Sequence, residues 1–137
     1  MPKLLNFKID KNRYMKQALL VFVGGGFGSV ARYFVGKWLN NVETAIPYGT
    51  MLSNVLGSLL IGIVLGYLGK TGNMSQSQSL LLATGFCGGF TTFSSFAFEN
   101  HLLIKNGDYF SFLPYTLMSL ILGFSAVFLG LYISKLL

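Results

Sequence analysis

Carboxylates are scarce in this sequence: Asp10, Glu43, Glu99 and Asp108 are the whole set in 137 residues. Only Glu99 falls inside a long apolar run, near its end. Paired carboxylates for acid–base chemistry are therefore missing, as is the midplane carboxylate a proton-coupled exporter would want. The single cysteine, Cys87, excludes an intrachain disulfide and a cysteine-cluster metal site, and reads as a small buried apolar residue. The single histidine, His101, reads as interfacial. There is no catalytic triad, no HExxH and no P-loop, so no enzyme is read here.

What the chain has is apolar length. It is 53% hydrophobic and 10% charged, with a mean hydropathy of +0.61, which is the membrane class. The net charge is +6. Lys3, Lys8, Lys11, Arg13 and Lys16 all precede the first apolar run. Residues 1–16 thus read as a basic tail suited to anionic lipid rather than nucleic acid, ahead of a single membrane domain over 17–137. The first run is too long for a signal peptide, holds Arg32 and lacks a small-residue cleavage site, so it is read as a retained span.

Four spans are predicted: Gln17 to Leu39, Pro47 to Leu68, Leu80 to Phe98 with a possible extension to Ile104, and Phe112 to Ser134. Each has roughly 19–25 residues, enough to cross ~30 Å of hydrocarbon. The expectation is an all-α integral membrane protein of four helices. The basic excess favours the termini inside. Without the tail through Arg13 that bias nearly vanishes, with Lys16, Lys70 and Lys135 on one side against Lys37 and Lys105 on the other. Small and polar residues recur every fourth position: Gly24, Gly28 and Gly36 with Arg32; Thr50, Asn54, Ser58, Gly62 and Gly66; Tyr115, Ser119 and Gly123; Ala126, Gly130 and Ser134. Such rows let helices approach closely. Four short helices do not easily enclose a polar pathway, so a twofold homodimer is expected.

The third span carries Gly85, Gly88 and Gly89, followed by Thr91, Thr92, Ser94 and Ser95 and by Phe90, Phe93, Phe96 and Phe98. The glycines invite a break in the helix. Freed carbonyls at membrane depth must be covered by protein or line a cavity, so a broken helix with hydroxyls beside it reads as an ion-handling element. On a helix resuming after Gly89, Thr91 and Ser95 share a face, with Ser94 beside them and Glu99 a turn beyond. Phe93 and Phe96 fall roughly opposite, where ring edges carry partial positive charge. Asn54 offers two N–H donors to an anion or to a neighbouring helix. Arg32 either snorkels to headgroups or serves as a fixed cation that attracts anions or pins a helix.

These stretches resemble the Fluc (CrcB) family of fluoride channels over essentially all four spans. The carriers are GGGFGSVARY from Gly24, PYGTMLSNVLGS from Pro47 and, most specifically, GFCGGFTTFSSF from Gly85. The resemblance implies an antiparallel, dual-topology homodimer with two fluoride pores and a broken third helix. It also implies a central sodium ion on carbonyls matching Gly88 and Thr91. The matching pore residues are Asn54, Phe93, Phe96 and Arg32, and the polar track matches Ser94, Ser95, Glu99, Tyr115 and Ser119. The implied activity is passive fluoride export across the cell membrane. Three departures stand out: Ser95 in place of threonine, Phe90 in place of an aliphatic residue, and Gly123 in place of a hydroxyl. A small proton-coupled multidrug exporter and a non-transporting packing subunit are the competing readings.

Overall fold

The computed structural model describes residues 10–72 and 74–137. Four helical stretches are long and apolar enough to cross a membrane: Lys11–Leu39, Tyr48–Lys70, Gln76–Lys105 and Tyr109–Leu136. Helix α1 is Lys11–Leu39 and α2 is Tyr48–Thr71. The third span is composite: α3 (Gln76–Ser79), a π-wound segment (Leu80–Cys87), a single turn α4 (Gly88–Phe90), then α5 (Phe93–Lys105). Helix α6 (Tyr109–Leu136) closes the chain.

Local chemistry sets the ends. Asp10 caps α1 by accepting from the Arg13 amide at 3.4 Å. The tail expected through residue 16 is thus helical from Lys11, and residues 1–9 lie outside those described. Arg13 Nη2 donates to Gln76 Oε1 at 2.9 Å and ties this extension to the third span. Gly72, at φ +59, takes the left-handed cap that ends α2. Ser75 and Gln78 form a reciprocal capping box that starts α3.

Two close helix pairs make the body. A Cβ on Gly62 would stand 2.5 Å from Val127 O, and one on Gly130 would run into Leu59 O, so α2 and α6 meet backbone to backbone. Likewise Gly24 and Gly28 of α1 press on the Leu81 and Phe86 carbonyls, while Gly89 presses on Gly25. With no hydrophobic drive between helices in lipid, such close packing is what holds them. Large apolar side chains point outward, among them Phe22, Phe27, Phe124 and Phe128, each at least 68% exposed.

The glycines of the third span do not host its interruption. Gly88 and Gly89 remain helical. The backbone instead leaves the helix at Thr91 (φ −84, ψ 155) and Thr92 (φ −150, ψ 118). Thr91 therefore does not share a helical face with Ser95. Its hydroxyl turns back to the Cys87 carbonyl at 2.9 Å.

Candidate functional site

An extended stretch at membrane depth needs partners for its amides and carbonyls. Asn54 of α2 supplies them at Thr92. The Thr92 amide donates to Asn54 Oδ1 at 2.7 Å, and Asn54 Nδ2 donates to the Thr92 carbonyl at 3.1 Å. The carboxamide thus acts as a surrogate peptide group. One Nδ2 hydrogen is spent on this clamp, and the other makes no hydrogen bond among the described residues. Thr92 then caps α5, its Oγ1 accepting from the Ser95 amide at 3.2 Å. That oxygen also lies 3.2 Å from Ser95 Oγ and 3.4 Å from Ser94 Oγ.

Because the Thr92 amide is turned to Asn54, it cannot close a helical bond onto Gly88 O. The Ser95 amide, turned to Thr92 Oγ1, likewise leaves Thr91 O. Gly88 is exposed, and a Cβ there would meet nothing within 4 Å. Among the described residues no cluster of His, Cys, Asp or Glu gathers to hold a metal. The amides that would cover the Gly88 and Thr91 carbonyls in a continuous helix are thus turned elsewhere, and backbone oxygens of this kind suit a hard cation.

Beside the break runs an open groove of ≈ 330 Å³, lined by Asn54, Ser58, Gly88, Thr91, Phe93, Phe96 and Ser119 among others. None of its lining residues is charged. Phe93 is 79% exposed. Its ring lies 6.0 Å from that of Phe96, which lies 5.4 Å from that of Tyr115. Two buried hydroxyls, those of Ser53 and Ser119, find no hydrogen-bond partner among the described residues, and Ser119 lines the groove. Where Gly123 lacks a hydroxyl, Ser58 Oγ stands 3.9 Å from the site of an added Cβ. Phe90 is buried and stacks on Phe86 at 5.7 Å, a packing role.

A second, more polar basin of ≈ 360 Å³ holds Arg32, Ser95 and Glu99, and Thr92 lines both spaces. Arg32 Nε donates to the Gly89 carbonyl at 3.1 Å, so the guanidinium pins α1 to the turn before the break. Ser29 Oγ reaches the same carbonyl at 3.4 Å. Glu99 joins three helices: Thr50 donates to Oε1 and Tyr115 to Oε2, each at 2.6 Å. Tyr115 is 1% exposed. Of the residues read from the sequence, Asn54, Gly88, Thr91, Phe93, Phe96 and Ser119 gather at the groove. Arg32, Ser95 and Glu99 gather at the basin. Tyr115 links the two through Glu99 and Phe96, and Ser94 lines neither. The sequence reading missed Thr92 as clamp and cap, Thr50 as a Glu99 partner, and Asn40, which receives the Gly49 amide at 2.7 Å. A threonine three residues before Ser95, ahead of an apolar run, was the available capping signal.

Comparison with known proteins bears on this arrangement. The family of CrcB-like proteins, Camphor Resistance (CrcB), matches residues 19–131. The fluoride-specific ion channel FluC of Gloeothece citriformis (strain PCC 7424) is 48% identical over 122 residues, 88% of this chain and 98% of that one. The protein of the same name from Chlorobium chlorochromatii (strain CaD3) is 45% identical over 123 residues, covering 90% and 93%. That of Leptospira interrogans serogroup Icterohaemorrhagiae serovar copenhageni (strain Fiocruz L1-130) is 40% identical over 123 residues, covering 89% and 97%.

Proposed function

The chain belongs to the CrcB-like family, and on that premise we propose that this multi-pass membrane protein is a passive, fluoride-selective channel that lets fluoride leave the cytoplasm. The observation that carries the reading is the uncharged groove, where an Asn54 N–H and the Ser119 hydroxyl, both without a partner among the described residues, lie beside Phe93 and Phe96. Fluoride holds its water tightly, so a pathway must replace that shell with donors. Donors already committed to the protein would not serve. Asn54 keeps one N–H without a partner among the described residues while its other groups hold the backbone in place, so binding and positioning come from one side chain. Ring edges of Phe93 and Phe96 add partial positive charge without a full cation that would trap the ion. No carboxylate lines the groove.

The working unit in this proposal is an antiparallel homodimer of chains inserted in opposite directions, with one pore along each groove. Exposed Phe93 and Gly88 support it, since a partner would complete the groove wall there. The third span then works as a broken helix whose interruption faces the partner. The Gly88 and Thr91 carbonyls of both subunits would hold a sodium ion, which supplies fixed positive charge between the pores and joins the subunits. Ser95, Glu99, Tyr115 and Ser119 line or support the onward track, Ser94 stands beside it against the Thr92 hydroxyl, and Arg32 holds the α1 side of the break. Cells lacking other fluoride export test the reading. Asn54→Asp or Phe96→Ile, expressed at the wild-type level, is expected to abolish growth in fluoride. Undiminished growth would reduce the protein to a packing subunit.

A further inference from the structure

The basin beside the break has more anion-binding capacity than a bare halide needs. It spans ≈ 360 Å³ and is lined by Arg32, Lys37, Asn40, Thr50, Ser95 and Glu99 among others. Arg32 has five N–H groups, of which Nε is bound to the Gly89 carbonyl. Its Nη groups make no hydrogen bond among the described residues. The Lys37 ammonium stands 5.6 Å over the Tyr33 ring, with no carboxylate partner among the described residues. Glu99 is the one carboxylate in the basin, and hydroxyl protons from Thr50 and Tyr115 already occupy both its oxygens. Two cations with uncommitted donors thus line a basin that holds a single carboxylate, itself hydrogen-bonded by Thr50 and Tyr115.

The shape of these donors selects the ligand. A guanidinium with a free Nη pair matches two oxygens of one anion, which a spherical ion cannot exploit. The ammonium of Lys37 adds a point charge on the same basin. We propose that this basin binds a small tetrahedral oxyanion of the phosphate or sulfate class between Arg32 Nη and Lys37 Nζ. The consequence for flux rests on the channel reading: an occupant stands beside Thr92 and Ser95 and obstructs fluoride. The binding itself does not rest on it. The same chemistry is available from a dissolved ion or from a lipid phosphodiester, since Lys37 adjoins Trp38, 79% exposed near the end of α1.

The test uses inorganic sulfate at constant ionic strength with the wild type and Lys37→Ala. Thermal unfolding of the detergent-purified protein reads binding, and fluoride efflux from phosphatidylcholine vesicles reads obstruction. Sulfate is expected to raise the melting temperature and slow efflux in the wild type. Lys37→Ala, with its efflux scaled to its own sulfate-free rate, is expected to need roughly ten-fold more sulfate for either effect, the size of one charge-assisted contact. Adding phosphatidylglycerol identifies the source. A weakened sulfate effect means the lipid phosphodiester competes for the site, and an unchanged one means the ligand is dissolved; the site stands in either case. No response to sulfate, or an equal response in Lys37→Ala, overturns the proposal. Sulfate stabilisation without any fluoride efflux would sink the channel reading and leave the site.

Discussion

Replacing Asn54 by leucine, of similar size, removes both hydrogen bonds that hold Thr92. The Thr92 amide loses its acceptor at 2.7 Å and the carbonyl its donor at 3.1 Å. An orphaned buried backbone group costs about 1–3 kcal/mol in water-soluble proteins, whereas polar pairs between membrane helices average nearer ~0.6 kcal/mol. Asn54 is half-buried, so both groups together are expected to cost about 1–4 kcal/mol. Asn54→Asp keeps the acceptor for the Thr92 amide but sets a carboxylate against the Thr92 carbonyl and into the uncharged groove. Its stability should fall between wild type and Asn54→Leu, while its fluoride flux should be lost as fully. Thermal unfolding followed by size-exclusion of a fluorescent fusion gives the stability order, and vesicle efflux gives the flux. A leucine variant that melts with the wild type and conducts at its rate would refute the clamp.

Other predictions rest on separate contacts. Gly130→Ala should destabilise the protein by about 1–3 kcal/mol, because the added methyl runs into the Leu59 carbonyl and the Ile63 amide across the α2–α6 contact. Gly26→Ala meets nothing within 4 Å and should be neutral or stabilising by up to about 1 kcal/mol; thermal melts of the pair check the packing account. Tyr115→Phe deletes the 2.6 Å donor to Glu99 at a site 1% exposed, so a loss of about 1–3 kcal/mol and slower fluoride efflux are expected. Wild-type efflux in that variant would remove Tyr115 from the track. Stripping sodium should weaken subunit association, read by cross-linking yield; assembly and flux unchanged after exhaustive removal would discard the Gly88 and Thr91 assignment.

Hydropathy located the four spans because lipid requires about 20 apolar residues per crossing, and this demand is written locally. Span ends needed caps: Asp10 carries α1 back to Lys11, and Ser75 starts the third span at Gln76 rather than Leu80. The position of the interruption was not legible. Glycine spacing pointed to residues 85–89, but Gly85 and Gly89 serve close contact with α1. An interruption also needs something to satisfy the freed backbone, and here that partner is Asn54, 38 positions away. The same reason hid Thr50, which looked like one member of a small-residue row until its bond to Glu99 was seen. Arg32 was legible as anomalous; its partner, the Gly89 carbonyl, was not. Chemistry-bearing residue types could thus be read from the chain, whereas pairings across spans required the fold.

The most direct measurement is fluoride efflux from proteoliposomes loaded with potassium fluoride, read by a fluoride electrode after valinomycin balances the charge, with chloride-loaded vesicles as control. The account predicts rapid fluoride release with little chloride release, abolished by Asn54→Asp. Release no faster than from empty liposomes, with a folded dimer confirmed, would contradict it.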